Sequence, residues 1–448
     1  MLSDQITETQ VLVVGAGPGG LAAAVTLGRA GIETLVVEKR STRSDVPRAT
    51  GASTATMELL RSWGLEPQVR DAALDVEWRA LATPTLAGAA TGRPIEVGYP
   101  SADQSAVVSP TAPACVPQDE LERILEEYVA TLPTVRLERG VEIATVASRA
   151  DGVTVRAVGG RTLRARYLVA ADGIRSTVRA ALGILASDSG PLAERLTVLL
   201  RGPLWELVGE RRHVIYFLDG EVAAVPMSRP DRWVFAFPAP GPADLGAALR
   251  QAVGADVALE VEHVSRTTYA VELAERFRER SAFLIGDAAH RLTPRGATGM
   301  NTAIRDGYDL GWKLAWVLRG WGGEELLDSY EAERRPVAEH NGARGTDPNG
   351  SIRGVAEELH VDLGGRIAHA WLPGETGRVS TLDLLGDGLT LFTGPGSDGP
   401  PRRGTPPVTV RRLDAMTARA LGILNGAALL VRPDGVPAQA GLTSSATS

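Results

Sequence analysis

Residues 11–38 read VLVVGAGPGGLAAAVTLGRAGIETLVVE, and no other stretch restricts the fold as much. Val11 to Val14 is an apolar run of the length of one buried strand. Gly15, Gly17 and Gly20 follow at G-x-G-x-x-G spacing. Gly15 permits a tight turn, Gly17 lets the backbone approach a pyrophosphate, and Gly20 lets a helix pack close to a sheet. The spacing predicts a helix from about Pro18 to Ala30, its N-terminal amides and positive dipole end aimed at that phosphate. A second strand, Thr34 to Val37, ends in Glu38, whose carboxylate can accept both hydroxyls of an adenosine ribose. Strand, glycine turn, helix and strand with a terminal acid together predict a dinucleotide-binding α/β unit.

The chain has 448 residues, a length that suggests two to three domains. With 44% hydrophobic and 23% charged residues it can bury a sizeable core. A net charge of −7 argues against a nucleic-acid partner and against an anionic-membrane patch. The single cysteine, Cys115, rules out an internal disulfide and a cysteine metal centre, and no metal site is expected. MLSDQITETQ lacks a basic n-region, and no apolar run approaches the ~20 residues of a membrane helix. A cytoplasmic protein is the expectation, as monomer or homodimer.

Further along, Ser53 can cap a helix ending at Gly64, and Arg48 can pair with a pyrophosphate or stand as a surface arginine. Residues 70–117 read as short strands with long connections, in which Trp78 lines a pocket or packs as ordinary core. PQDELERILEEYVA, at 117–130, is an amphipathic helix with Gln118 at its entrance. Strand patterns over 134–170 end at Asp172-Gly173, and Ser176 is in reach of the next helix's first amides. Residues 185–280 alternate strand-like runs and turns without intervening helices, which suggests an antiparallel sheet and a second, α+β unit. Tyr216, Phe217, Trp233 and Phe235 fall in these runs; they line a substrate pocket with Pro294 and Gly296, or they form the core of that unit. A buried strand, Ala282 to Ile285, ends at Gly286-Asp287, and a long helix starts near Met300-Asn301.

Three motifs, GAGPGG with Glu38, AADGIRSTVR, and LIGDAAHRLTPRGATGMN, stand in the order and rough spacing of the group A flavoprotein monooxygenases. The chain resembles this p-hydroxybenzoate hydroxylase-like family, in its aromatic polyketide hydroxylase subgroup, over residues 8–345. Its tail, with STLDLLGDGLTLFTGP and GAALLVRPDG, resembles a shortened thioredoxin-like domain, and the missing C-x-x-C pair excludes a redox role for it. The resemblance implies a Rossmann-like FAD-binding domain of glutathione-reductase type (1–75, 102–180 and 275–350). A substrate-binding sheet domain (76–101 and 181–274) is interleaved with it, and a C-terminal region (351–448) follows.

The resemblance also implies roles. Gly15, Gly17, Pro18, Gly19 and Gly20 would hold the FAD pyrophosphate, and Glu38 and Lys39 the adenosine end. Arg48 and Gln118 would contact the diphosphate and ribityl region, and Ile143 the adenine. Asp172 would serve both FAD and NAD(P)H, and Gly286 and Asp287 the ribityl chain. Pro294, Gly299, Met300 and Asn301 would border the isoalloxazine, where amides at a helix N-terminus stabilise the charge of reduced flavin. No second dinucleotide fingerprint follows, so NADPH or NADH would have no domain of its own. The implied reaction is hydroxylation of an aromatic, polyketide-type substrate by O2 added at flavin C4a, with water excluded. Baeyer–Villiger oxygenation or epoxidation is the alternative within the family, and a non-catalytic flavin-binding protein the alternative outside it. No catalytic base is assigned; His290, Arg295 and a residue of the 185–280 sheet are the candidates.

Overall fold

The computed structural model describes residues 6–44, 49–228, 231–375, 377–396, 406–424 and 427–438. Strand β1 (Ile6–Val14), helix α1 (Pro18–Arg29) and strand β2 (Thr34–Glu38) form the expected unit. Their apolar residues alternate to both faces, so β1 is buried on both sides from Val11 to Val14 and lies in the middle of an eight-stranded sheet. It pairs in parallel with β2, Val11 opposite Thr34, and with Thr162–Ala170, Val14 opposite Ala170. Val135–Arg139 extends the parallel order beyond β2, and Ala282–Leu284 extends it on the other side, Leu284 opposite Ala170. Because all these strands run the same way, the turns after Val14, Ala170 and Leu284 emerge along one edge. In an open α/β sheet that edge is where ligands bind.

A second sheet has seven strands, ordered Glu260–Tyr269, Ala193–Arg201, Arg232–Pro238, Val222–Ser228, His213–Leu218, Glu77–Ala82 and Arg93–Glu96. It is antiparallel except where His213–Leu218 runs parallel to Glu77–Ala82. Two helices, Leu204–Val208 and Leu245–Val253, interrupt the strand series expected over 185–280. They cover one face, where Val198, Leu200, Tyr216, Leu218, Ala224, Trp233, Phe235 and Phe237 meet Leu204, Val208, Leu249 and Val253 in one apolar core. Over 70–117 the short strands are joined by a helix, Ala102–Val108, that the sequence pattern did not suggest, capped by Ser101 with Gln104 in a reciprocal capping box.

Helix α2 (Thr54–Ser62) begins as expected at Ser53, whose hydroxyl accepts the Thr56 N–H. The long helices α3 (Gly299–Leu318) and α4 (Glu325–Thr346) lie behind the first sheet. Glycines permit close packing of α3 on α1: a Cβ on Gly307 would fall 2.2 Å from the Gly19 carbonyl oxygen, and one on Gly311 2.8 Å from Thr26 Cβ. After α5 (Val355–Leu363), the C-terminal region forms a three-stranded sheet around Leu389–Thr393 with a small core of its own, including Phe392, Leu413 and Val431. Between the two tail segments lies a helix, Ala415–Ala420, started by Asp414.

A buried ion network bolts that region to α3 and α4. The Lys313 ammonium, fully buried, donates to Asp309 at 2.8 Å and Glu333 at 3.1 Å. Arg432 donates to both oxygens of Glu333 at 2.8 Å and also pairs with Asp434. The Lys313 ammonium therefore counters the Asp309 and Glu333 carboxylates where a cation would otherwise be needed.

Candidate functional site

The glycine turn is shaped by its neighbours. Gly15 has φ +107°, and a Cβ there would lie 2.3 Å from the Ala171 carbonyl oxygen. A Cβ on Gly20 would lie 2.0 Å from the Gly15 oxygen, and one on Gly19 2.9 Å from the Ala303 oxygen of α3. Gly17 differs: nothing lies within 4 Å of a Cβ built on it. It caps α1 without any side-chain hydrogen bond to the first turn. An open position beside uncapped amides at the start of a helix is what a phosphate requires. The residues present therefore fit a dinucleotide pyrophosphate.

The other strand ends converge on the same turn. Glu38 accepts the Ala16 N–H at 2.9 Å and the Arg40 N–H at 3.0 Å, so its carboxylate spans from the end of β2 to the glycine turn. The Val141 N–H donates to the Glu38 carbonyl at 3.0 Å, which brings the segment leading to Ile143 alongside it; Lys39 is exposed next to it. Asp172 follows the Ala171 carbonyl that abuts Gly15. Its carboxylate accepts the Ser176 hydroxyl at 2.5 Å and the Val178 N–H at 3.1 Å. Burial raises its pKa, opposed by those two donors. The Gln118 N–H donates to the Ala49 carbonyl at 2.9 Å, which ties the start of its helix to the segment that enters α2. Arg48 lies outside the described residues.

Gly286 sits against α3: with φ +54°, a Cβ on it would be 2.8 Å from Ala303 Cβ. Ala303 thus touches both the glycine turn, through Gly19, and the Gly286-Asp287 turn. Asp287 is exposed at this junction. At the start of α3, Met300 and Asn301 are buried, and Gly299 and Pro294 remain accessible. The Asn301 side chain accepts the Ser53 N–H at 2.8 Å and donates to the Gly51 carbonyl at 3.0 Å, fixing the start of α3 to that of α2.

One element of the site was not foreseen. Asp306, with no exposed surface, accepts the Gly286 N–H at 3.0 Å, bonds His290 Nε2 at 2.6 Å, and accepts from Arg334 Nε at 2.7 Å. Burial alone would raise its pKa; the facing His290 ring and Arg334 guanidinium outweigh that and hold the carboxyl below its ordinary range. Tyr330 extends the support by donating to the Leu284 carbonyl at 2.8 Å. The network also corrects the reading of His290 as a base. Its ring is 2% exposed, packs on Phe277 and is held by Asp306, so it braces the turn from inside the protein. The one available signal was a charge pattern: Asp306, Asp309 and Lys313 fall within the apolar helix 299–318, where a charge must have a partner.

The expected pocket lining needs a second correction. Tyr216, Trp233 and Phe235 have no exposed surface and belong to the core beneath Leu245–Val253, on the sheet's outer face. The cause is the two-residue period of a strand. Phe217 has the opposite parity and faces inward with Ile215, Trp78 and Tyr99. This inner face looks toward the first sheet's loops: a Cβ on Gly51 would be 2.9 Å from the Trp78 ring, and the Tyr99 hydroxyl donates to the Ala297 carbonyl at 3.0 Å. Besides Phe217 it carries small, half-buried side chains, among them Ala82, Ala223, Val225, Val234 and Ala236. Gly296, buried with φ +79°, and Pro294 stand at its edge in the loop before α3.

Fold and site together define a dinucleotide-binding oxidoreductase in which the cofactor edge of one sheet faces the inner side of another. Comparison with known proteins narrows this. Residues 8–344 match the FAD binding domain family, and residues 360–447 match the C-terminal domain of aromatic-ring hydroxylases. Tetracenomycin B2 monooxygenase-dioxygenase of Streptomyces olivaceus is 35% identical, over 88% of this chain and 85% of that one. Among solved structures, aklavinone-11 hydroxylase in ternary complex with FAD and aklavinone superposes with a TM-score of 0.85. It is 30% identical and covers 97% of this chain and 95% of its own. The flavin-dependent monooxygenase PieE, in complex with FAD and substrate, has a TM-score of 0.85 at 26% identity, over 96% of this chain and 95% of its own. The chain belongs to the family of FAD-binding aromatic-ring hydroxylases and is an enzyme of the flavin-dependent aromatic monooxygenase type.

Proposed function

We propose that this enzyme uses NADPH or NADH and bound FAD to insert one atom of O2 into a polycyclic, polyketide-type aromatic substrate by hydroxylation. The observation that carries the substrate class is the inner face of the second sheet. There Ala82, Ala223, Val225, Val234 and Ala236 are small, apolar and half-buried, which supports reading this face as a floor for a flat ligand. A flat fused-ring molecule covers such a floor; a small phenol would leave most of it wet. FAD, when bound and reduced, supplies the oxygen-activating chemistry.

The chain's own residues do the rest. The open position at Gly17 and the first amides of α1 bind the pyrophosphate, and Glu38 takes the ribose. Asp287 binds the ribityl chain, and Asp306 holds that turn in place through the Gly286 N–H. The amides of Gly299, Met300 and Asn301 orient and stabilise the pyrimidine side of the ring system. Phe217 and the sheet floor exclude water from the reacting face. The cofactor unit comprises 1–75, 102–180 and 275–350, the substrate sheet 76–101 and 181–274, and the C-terminal region begins near 351.

The test is reductant consumption by the FAD-loaded protein with a panel of tricyclic and tetracyclic hydroxyquinones. At least one should stimulate NADPH or NADH oxidation and be recovered with one added oxygen. Unstimulated oxidation across the panel, or recovery of a ring-expanded lactone or its hydrolysed hydroxy acid, contradicts the proposal.

A further inference from the structure

Arg295 is the odd residue of the loop that faces the sheet. It lies between Pro294 and Gly296 in a loop tied on both sides of it: the Tyr99 hydroxyl donates to the Ala297 carbonyl, and the Thr293 hydroxyl to the Gly345 carbonyl at 3.1 Å. The half-buried guanidinium rests over the Tyr269 ring at 5.9 Å and gives one N–H to the Gly345 carbonyl at 3.0 Å. Tyr269 is on the inner face, as the strand register shows. Thr197 is of inner parity, its hydroxyl lies 3.2 Å from that of Thr267, and Tyr269 is two residues further along the same strand.

The neighbouring cations are neutralised. Arg195, on the adjacent strand, is 3.6 Å from Glu221. Arg291, on the other side, pairs with Glu272 at 2.8 Å and donates to the Thr268 carbonyl. Among the described residues no carboxylate lies within 4.0 Å of Arg295, so it stands as a positive charge with spare donors at one end of an apolar floor. A half-buried guanidinium without a counter-ion is costly unless the missing anion arrives with a ligand.

We propose that Arg295, steadied by the Tyr269 ring, binds an ionised ring hydroxyl of the substrate, so that the enzyme selects polycyclic phenolates over neutral ring systems of the same shape. This deepens the proposed function and rests on the sheet floor being the substrate site. The guanidinium donates a charge-assisted hydrogen bond to the phenolate oxygen. A phenolate is also the more electron-rich ring, which favours attack on an electrophilic oxygen. Arg295 is always charged and cannot act as the base; it stabilises the ionised form.

The test compares a monohydroxyanthraquinone with its methyl ether, each titrated into the FAD-loaded protein, with the coloured phenolate band followed across pH. In the wild type the bound hydroxyl should ionise about one pH unit below the free compound, a tenfold preference for the anion worth ~1.4 kcal/mol. In Arg295→Gln that shift should vanish and, at a pH above the free compound's pKa, affinity for the hydroxy compound fall about tenfold, with affinity for the ether unchanged. Arg295→Lys should keep part of the shift. Tyr269→Phe, which retains the ring, should keep nearly all of it. FAD content read from the flavin band verifies that each variant is folded. A normal phenolate shift in Arg295→Gln, or an equal loss of both probes with full FAD content, overturns the assignment of Arg295 and leaves the floor as the substrate site. If the wild type binds neither probe, the floor itself is misassigned and the proposal falls with it.

Discussion

Replacing Asp306 by asparagine should damage both stability and FAD binding, although Asp306 lies behind the cofactor turn. Its carboxylate receives three hydrogen bonds, from the Gly286 N–H, His290 and Arg334, with no exposed surface. Asparagine keeps one oxygen, enough for the Gly286 N–H, and removes the charge that faces Arg334. A buried arginine without its partner costs about 3–5 kcal/mol. An orphaned buried donor costs about 1–3 kcal/mol, but the contacts form one network, so the two figures do not add. We expect a loss of about 3–5 kcal/mol, a large share of the ~5–15 kcal/mol typical of a native fold.

The pH dependence has a defined sign. The folded-state pKa of Asp306 is depressed, so its contribution is fully present above the unfolded value of about 3.9 and is lost as pH falls through the folded value. The gap between wild type and Asp306→Asn should therefore be full at neutral pH and close only in acid below about 4. Urea denaturation of the FAD-loaded proteins, followed in parallel by flavin fluorescence and far-ultraviolet circular dichroism, reads both effects. The variant should release FAD at lower urea than the wild type and unfold earlier. An unchanged midpoint together with unchanged FAD affinity would refute the bracing role.

Gly17→Ala should leave the apo-protein as stable as the wild type, because nothing surrounds the added methyl, yet weaken FAD binding at least tenfold by crowding the phosphate; calorimetric titration with FAD and a thermal melt separate the two effects. Trp233→Ala should cost about 3–5 kcal/mol of stability and leave the KM for an aromatic substrate unchanged per FAD-loaded molecule. Phe217→Ala should do the reverse, raising KM with little change in melting temperature. Lys313→Met, which leaves Asp309 without its cation, should destabilise by about 3–5 kcal/mol and, in limited proteolysis, expose the C-terminal region first.

What was legible in the sequence was local. The glycine turn, the Glu38 strand end and the Ser53 cap each occupy a few consecutive residues whose backbone demands are written in their own spacing, and all three stand as expected. The convergence of Asp172 and Gly286 on Gly15 and Gly19 followed from strand order, once parallel strands put their ends on one edge. Parity within the second sheet was not legible. The alternation Trp233, Phe235, Phe237 marks one face but does not say whether a helix or a ligand covers it. Nor was Asp306 assignable, since its partners His290 and Arg334 lie 16 and 28 residues away and meet it only through the packing of α3 and α4.

The most direct test of the account is the fate of molecular oxygen. With heavy-isotope O2, FAD, NADPH or NADH and a polycyclic phenol, mass spectrometry should find one labelled oxygen atom per product and one reductant consumed per turnover. An unlabelled product, or reductant consumption that yields only hydrogen peroxide for every fused-ring substrate tried, would contradict it.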